Sequence, residues 1–115
     1  MHELKIIQDI FPVIEDVAAV NDLKTISKVY LEVGELRQVI GEFLQFAFAT
    51  VAKDTIAARA ELVIKPIPVT AKCRNCQRRV EVEKHSYVCP YCGGVGLDIL
   101  TGKEIVLASM EGELE

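Results

Sequence analysis

The chain is 115 residues long and half hydrophobic, with no Trp, 3 Tyr and 4 Phe, so any core is built mainly from Ile, Val, Leu and Ala. That length suits one domain, or a small domain carrying an inserted module. A formal net charge of -4 speaks against a general nucleic-acid binder, which carries a broad basic field. The apolar run from Phe43 to Ala52 falls well short of the ~18 residues of a membrane span.

The chain opens Met-His-Glu-Leu, with an acidic residue where a secretory signal needs basic ones. The expected location is the cytoplasm, where cysteines favour metal over disulfides. Leu4, Ile7, Phe11, Ile14 and Ala18 recur at steps of three and four, which predicts a helix from residue 3 to about 20. Pro12 lies inside it and removes a helical donor, so the helix either kinks there or starts late with Asp9 as its cap. Residues 25–34 read as a strand, with Val29, Leu31 and Val33 alternating with Lys28, Tyr30 and Glu32 before Gly34. A second helix is expected from Gly41 to about Thr55, burying Leu44, Ala47, Phe48 and Val51. Residues 60–69 read as a second strand, closed by Pro66 and Pro68. Residues 70–96 lack periodicity, and Ile105 to Met110 suits a final strand.

The aperiodic stretch holds all four cysteines. Cys73-x-x-Cys76 is followed, after residues 77–88, by Cys89-x-x-Cys92. Two residues between cysteines let both sulfurs of a tight knuckle face one ion, and two knuckles complete a tetrahedron of thiolates about 2.3 Å from zinc. Gly93 and Gly94 stand where a knuckle needs backbone freedom and amide donors near sulfur. Four thiolates close the coordination shell, so the expected zinc is structural.

Two other readings fit the same residues. Cys89-Pro90-Tyr91-Cys92 is a dithiol sequence of the glutaredoxin type, but a redox cysteine needs a helix N-terminus, and Gly93-Gly94 opposes a helix. The second is a nucleic-acid-binding zinc ribbon. Lys72, Arg74, Arg78, Arg79 and Lys84 against Glu81 and Glu83 give residues 70–92 a charge of +3, and the rest of the chain -7. A zinc tetrathiolate lowers the ribbon to about +1. Tyr87 and Tyr91 stand as base-stacking rings or as a miniature ribbon core.

His2 and His85 are the only histidines. A histidine beside a frayed terminus has an inert reading. It also has a chelating one: the Met1 amine, the His2 amide nitrogen and the His2 imidazole form adjoining rings around one ion, with Glu3 adding its amide or its carboxylate. Nitrogen-rich tetragonal surroundings suit Ni(II) and Cu(II) rather than zinc. His85, in the loop between the knuckles, is either an exposed loop residue or a further nickel nitrogen.

Met1-His2-Glu3-Leu4, Val33-Gly34-Glu35-Leu36, Phe46-Ala47-Phe48, the paired Cys-x-x-Cys with its Cys-Pro-x-Cys-Gly second knuckle, and Gly102-Lys103-Glu104-Ile105 follow one another in that order. In order and spacing the chain resembles the HypA/HybF family of hydrogenase-maturation nickel metallochaperones, from Met1 to about Glu111. The resemblance implies nickel at His2 with Glu3 as its acidic neighbour, and zinc at the four cysteines. It implies delivery to the [NiFe]-hydrogenase large-subunit precursor together with the GTPase HypB; some members also serve urease. Lys5 stands where the family often has Ser, and Gly41 where it often has Pro.

The expected fold is α+β: two helices packed on a small, mainly three-stranded sheet, with an inserted four-cysteine zinc-ribbon module. Residues 1–69 and 100–115 would form the nickel-binding domain and residues 70–99 the ribbon. The expected role is a nickel metallochaperone without catalysis, as a monomer or homodimer, with no membrane or nucleic-acid partner. The alternative is a nucleic-acid-binding zinc-ribbon adaptor.

Overall fold

The computed structural model describes residues 2–83 and 86–114, with His2 described by its backbone alone. The elements run α1 (His2–Val20), β1 (Leu23–Gly34), a 3-10 turn (Glu35–Arg37), α2 (Gly41–Ala52), β2 (Glu61–Ile67), β3 (Thr70–Cys73), β4 (Arg79–Glu81), β5 (Leu97–Thr101) and β6 (Ile105–Leu114). They form two three-stranded sheets, ordered β2-β1-β6 and β4-β3-β5. The chain divides into two compact units. One comprises Met1–Glu32, Val39–Lys65 and Val106–Glu115, the other Val33–Gln38 and Pro66–Ile105. The expected module of residues 70–99 lies inside the second unit, which also holds residues 33–38, 66–69 and 100–105.

In the first unit α1 buries Ile7, Phe11, Ile14 and Ala18, the stripe that its three-and-four spacing marks out. The helix starts at His2, so Asp9 does not cap it; Asp9 accepts instead from Lys5 at 2.7 Å on the exposed face. Pro12 sits inside the helix on its exposed side. Gln8, whose carbonyl loses its helical partner there, is exposed too, so the loss falls on the solvent side of the helix. Phe11 meets Phe48 of α2 edge to face, with ring centroids 6.2 Å apart, a pairing that contributes about 1 kcal/mol beyond burial.

Helix α2 stops three residues short of the expected Thr55. The Thr55 hydroxyl donates to the Ala52 carbonyl at 2.6 Å, and Asp54 turns left-handed at φ 64. A threonine side chain that bonds the last helical carbonyl competes with the helix itself. Strand β2 lies at a sheet edge, where Pro66 is tolerated within it because the missing donor faces no neighbour. In β1 the alternation holds: Val29, Leu31 and Val33 are buried while Lys28, Tyr30 and Glu32 are half-buried.

The second unit is built on β3, which pairs antiparallel with both β4 and β5. Ala71 faces Val80 on one side and Ile99 on the other. Its core comprises Val69, Ala71, Cys73, Val80, Val82 and Cys89, flanked by Leu36, Cys76, Leu97 and Ile99. Segment 33–38 joins this unit through backbone bonds: the Gly34 amide donates to the Glu104 carbonyl and the Leu36 amide to the Gly102 carbonyl, both at 2.9 Å. The two backbone segments approach so closely that a Cβ on Gly34 would lie 2.2 Å from the Gly102 oxygen. Gly102 itself has φ 98, with Val69 Cα 2.7 Å from where its Cβ would stand.

These clashes are with backbone, which no rotamer relieves. Gly34→Ala and Gly102→Ala should each destabilise the fold by about 2–3 kcal/mol. Urea unfolding against wild type reads this directly; unchanged midpoints would contradict it.

Candidate metal centre

The four cysteine sulfurs converge in the second unit, all within 4.8 Å of one another. Cys73 ends β3, which alternates Ala71 and Cys73 inward with Lys72 outward. The other three come from the turns that follow β3 and precede β5. All four are free thiols. Cys73 Sγ lies 3.6 Å from Cys92 Sγ, and Cys76 Sγ lies 3.6 Å from Cys89 Sγ. Sulfurs arranged tetrahedrally about 2.3 Å from one ion stand about 3.8 Å apart, so the cluster fits a single metal ion held by four thiolates. Among the described residues it is the one such group of three or more His, Cys, Asp or Glu.

The two knuckles are built alike. Cys73 donates its N–H to the Arg78 carbonyl, five residues on, and its carbonyl accepts from Gln77, four on. Cys89 donates to Gly94 and accepts from Gly93 at the same offsets. The closing residue is left-handed in both, Gln77 at φ 66 and Gly93 at φ 75. Glycine takes that conformation without a steric penalty; Gln77 is held in it while its side-chain amide donates to the Arg74 carbonyl at 2.9 Å. The first knuckle therefore carries strain that its residue types do not announce.

The sulfurs differ in their surroundings. Cys92 Sγ accepts from the Asn75 side-chain amide and from the Gly94 N–H, each at 3.4 Å. Those donors push its thiol down to about 6. Cys76 receives a lowering backbone bond from Arg78, but burial and the sulfurs of Cys89, Cys73 and Cys92 outweigh it and push its thiol up to about 11. Four thiols this close cannot all ionise without a cation between them. Asn75 is the one contributor sequence reading passed over: it sits inside a Cys-x-x-Cys where only the cysteines carry a spacing signal.

The glutaredoxin-type reading fails on the same geometry. Residues 89–93 close a turn and open no helix, and Cys89 is buried. Among the described residues the ribbon core is aliphatic side chains and cysteines, without a tyrosine. Tyr91 is 62% exposed with the Arg78 guanidinium 4.7 Å from its ring centre, and Arg74 pairs with Asp98 at 3.3 Å.

Of the residues proposed for nickel, Met1, the His2 side chain and His85 lie outside the described residues. Glu3 is described: it is 6% exposed and its carboxylate accepts the Ile40 N–H at 3.2 Å. It thereby serves the start of α2, whose own N-cap residue offers no side-chain bond.

Gly93→Ala forces a Cβ into a left-handed position at a cost of about 1–2 kcal/mol, and should weaken metal binding by about tenfold or more. Gln77→Gly, which relieves the matching strain, should not weaken it. Competition with a chromophoric chelator measures both; equal loss in the two variants would contradict the twin-knuckle account.

The model of one family, described as hydrogenase/urease nickel incorporation, metallochaperone, hypA, matches residues 1–112. The hydrogenase maturation factor HypA of Aquifex aeolicus (strain VF5) is 35% identical over 115 residues, the whole of both chains. The hydrogenase maturation factor HybF of Klebsiella pneumoniae is 35% identical over 113 residues, covering 98% of this chain and 100% of its own. The solution structure of the Ni metallochaperone HypA from Helicobacter pylori matches over the full length of both chains with a TM-score of 0.75 at 25% identity. A match across nearly every residue, with the four-sulfur cluster formed, places this chain in the HypA family of hydrogenase maturation factors and nickel-incorporation metallochaperones.

Proposed function

We propose that the chain carries one structural Zn²⁺ on Cys73, Cys76, Cys89 and Cys92, and binds Ni²⁺ as cargo at its N-terminus through Met1, His2 and Glu3. It delivers that ion to the [NiFe]-hydrogenase large-subunit precursor, working with a HypB-type GTPase in the cytoplasm and performing no catalysis of its own. The zinc reading is supported by a closed set of four soft sulfur donors at tetrahedral spacing.

The observation that carries the nickel reading is where α1 begins. The helix starts at His2, and the first four amides of a helix have no acceptor within it. The nitrogens of His2 and Glu3 are therefore available to a metal without breaking a helical bond. The positive end of the helix dipole lies at the same place and opposes a cation by about 0.3–1 kcal/mol. That opposition keeps the affinity moderate, as delivery requires. Glu3 enters through its backbone nitrogen, because its carboxylate is engaged with Ile40.

The nucleic-acid alternative has weaker support, since Arg78 covers one face of Tyr91 and Asp98 neutralises Arg74.

Protons compete for the ligands: a free α-amine titrates near pH ~8 and an imidazole near ~6.5. Lowering the pH from ~8 to ~6 therefore protonates both and weakens nickel binding, with the fold intact. His2→Ala, or one extra residue before Met1, should abolish specific binding, whereas Glu3→Gln should change it by no more than about threefold. Calorimetry with Ni²⁺ on the native-terminus protein and these variants decides. Undiminished binding by both the extended and the His2→Ala proteins would overturn the reading.

A further inference from the structure

The second helix carries two phenylalanines that its own fold does not use. Helix α2 buries Leu44, Ala47, Phe48 and Ala52, yet Phe46 is 71% exposed, Phe43 49%, and Ile40, just before the helix, 52%. Each stands three residues from the next, the spacing that aligns neighbours on a helix surface. A side chain on Gly41 would meet nothing within 4 Å, so the ground beside this row is open. Contiguous exposed apolar surface of this kind marks an interaction site.

Two observations say what covers it. The first is position: the Glu3 carboxylate accepts the Ile40 N–H, so the row begins against the third residue of the chain, adjoining the residues assigned above to nickel. The second is charge. The unit that contains the row holds 6 Lys and Arg against 12 Asp and Glu, and Glu42 is the only charged residue of α2. A second copy of the chain would bring like charge to like, which costs affinity.

We propose that Ile40, Phe43 and Phe46 form the docking surface for the protein that receives the nickel, and that this acceptor presents an apolar groove rimmed by Lys and Arg. The proposal rests on the nickel reading, because the row's value lies in its place beside the cargo. An acceptor seated on it brings its own ligands to the open face of an ion held at the chain terminus, so transfer proceeds within a complex and not through solvent. The phenylalanines act as anchors, the mode in which an exposed helix face enters a partner's groove.

The test uses full-length, zinc-loaded protein with a native terminus and no nickel, titrated into purified [NiFe]-hydrogenase large-subunit precursor. Moving a phenylalanine from water into a groove contributes about tenfold or more in affinity, so the Phe43→Ala, Phe46→Ala double variant should bind about a hundredfold more weakly. Val20→Ala, at a position 82% exposed on α1, should stay within about twofold of wild type because it lies off the row. Wild-type binding should weaken between ~50 and ~300 mM salt. The double variant should keep its zinc, its terminal nickel affinity and its thermal midpoint, which separates docking from folding.

Wild-type affinity of the double variant for the precursor would overturn the proposal. So would intact precursor binding with loss of binding to the maturation GTPase, or self-association that the double substitution abolishes. A wild-type protein that binds the precursor through the row but takes up no nickel at its terminus would contradict the nickel reading alone.

Discussion

The convergence of four sulfurs on one point is the constraint on which the second unit depends. Among the described residues its core comprises six, two of which are the cysteines Cys73 and Cys89. What remains is Val69, Ala71, Val80 and Val82, with half-buried Leu36, Leu97 and Ile99 around them. Ordering a residue costs on the order of 1 kcal/mol of backbone entropy, and so few aliphatic side chains do not offset that for segments of this length. An ion bound by the four thiolates would supply what the core lacks and fix two turns that sequence separates. The short strands β3, β4 and β5 then have a framework on which to pair.

That arrangement divides the chain's metal chemistry by donor type. The sulfur site is closed and polarised by amide donors from Asn75 and Gly94, so it suits an ion that stays. The nitrogen donors proposed at the chain terminus, where α1 starts at His2, would suit an ion that leaves. Thiolates and nitrogens select different metals by softness and geometry, which on the proposed reading would let one small protein hold two ions without exchanging them. Glu3 serves the structure directly: its carboxylate accepts the Ile40 N–H at the start of α2.

Much of this was legible in the residues, and the limits have physical causes. The apolar stripe of α1, the alternation of β1 and the Cys-x-x-Cys spacing are periodic signals. Strands β3, β4 and β5 run only three to five residues, too short for alternation to rise above chance. The left-handed turn at Gln77 carries no glycine to announce it, whereas its twin at Gly93 does. The end of α2 turned on a Thr55 hydroxyl that competes with the helix, a local bond that propensity does not weigh. Tyr87 and Tyr91 read either as base-stacking rings or as a miniature core, yet Val80 and Ile99 are brought together by strand pairing with Ala71, and Val82 by its N–H bond to the Val69 carbonyl. The pairing of segment 33–38 with residues 102–104 joins two of the motifs that carried the family resemblance, and explains their glycines as places where two backbones touch.

The proposed zinc and nickel ions would occupy separate sites with separate fates. Native mass spectrometry of zinc-loaded, native-terminus protein during a Ni²⁺ titration, with the His2→Ala protein beside it, tests this most directly. The expected species carries one zinc and one nickel in wild type, and zinc alone in His2→Ala at the same nickel concentration. Nickel that enters only as zinc leaves, ion for ion, in both proteins would contradict it.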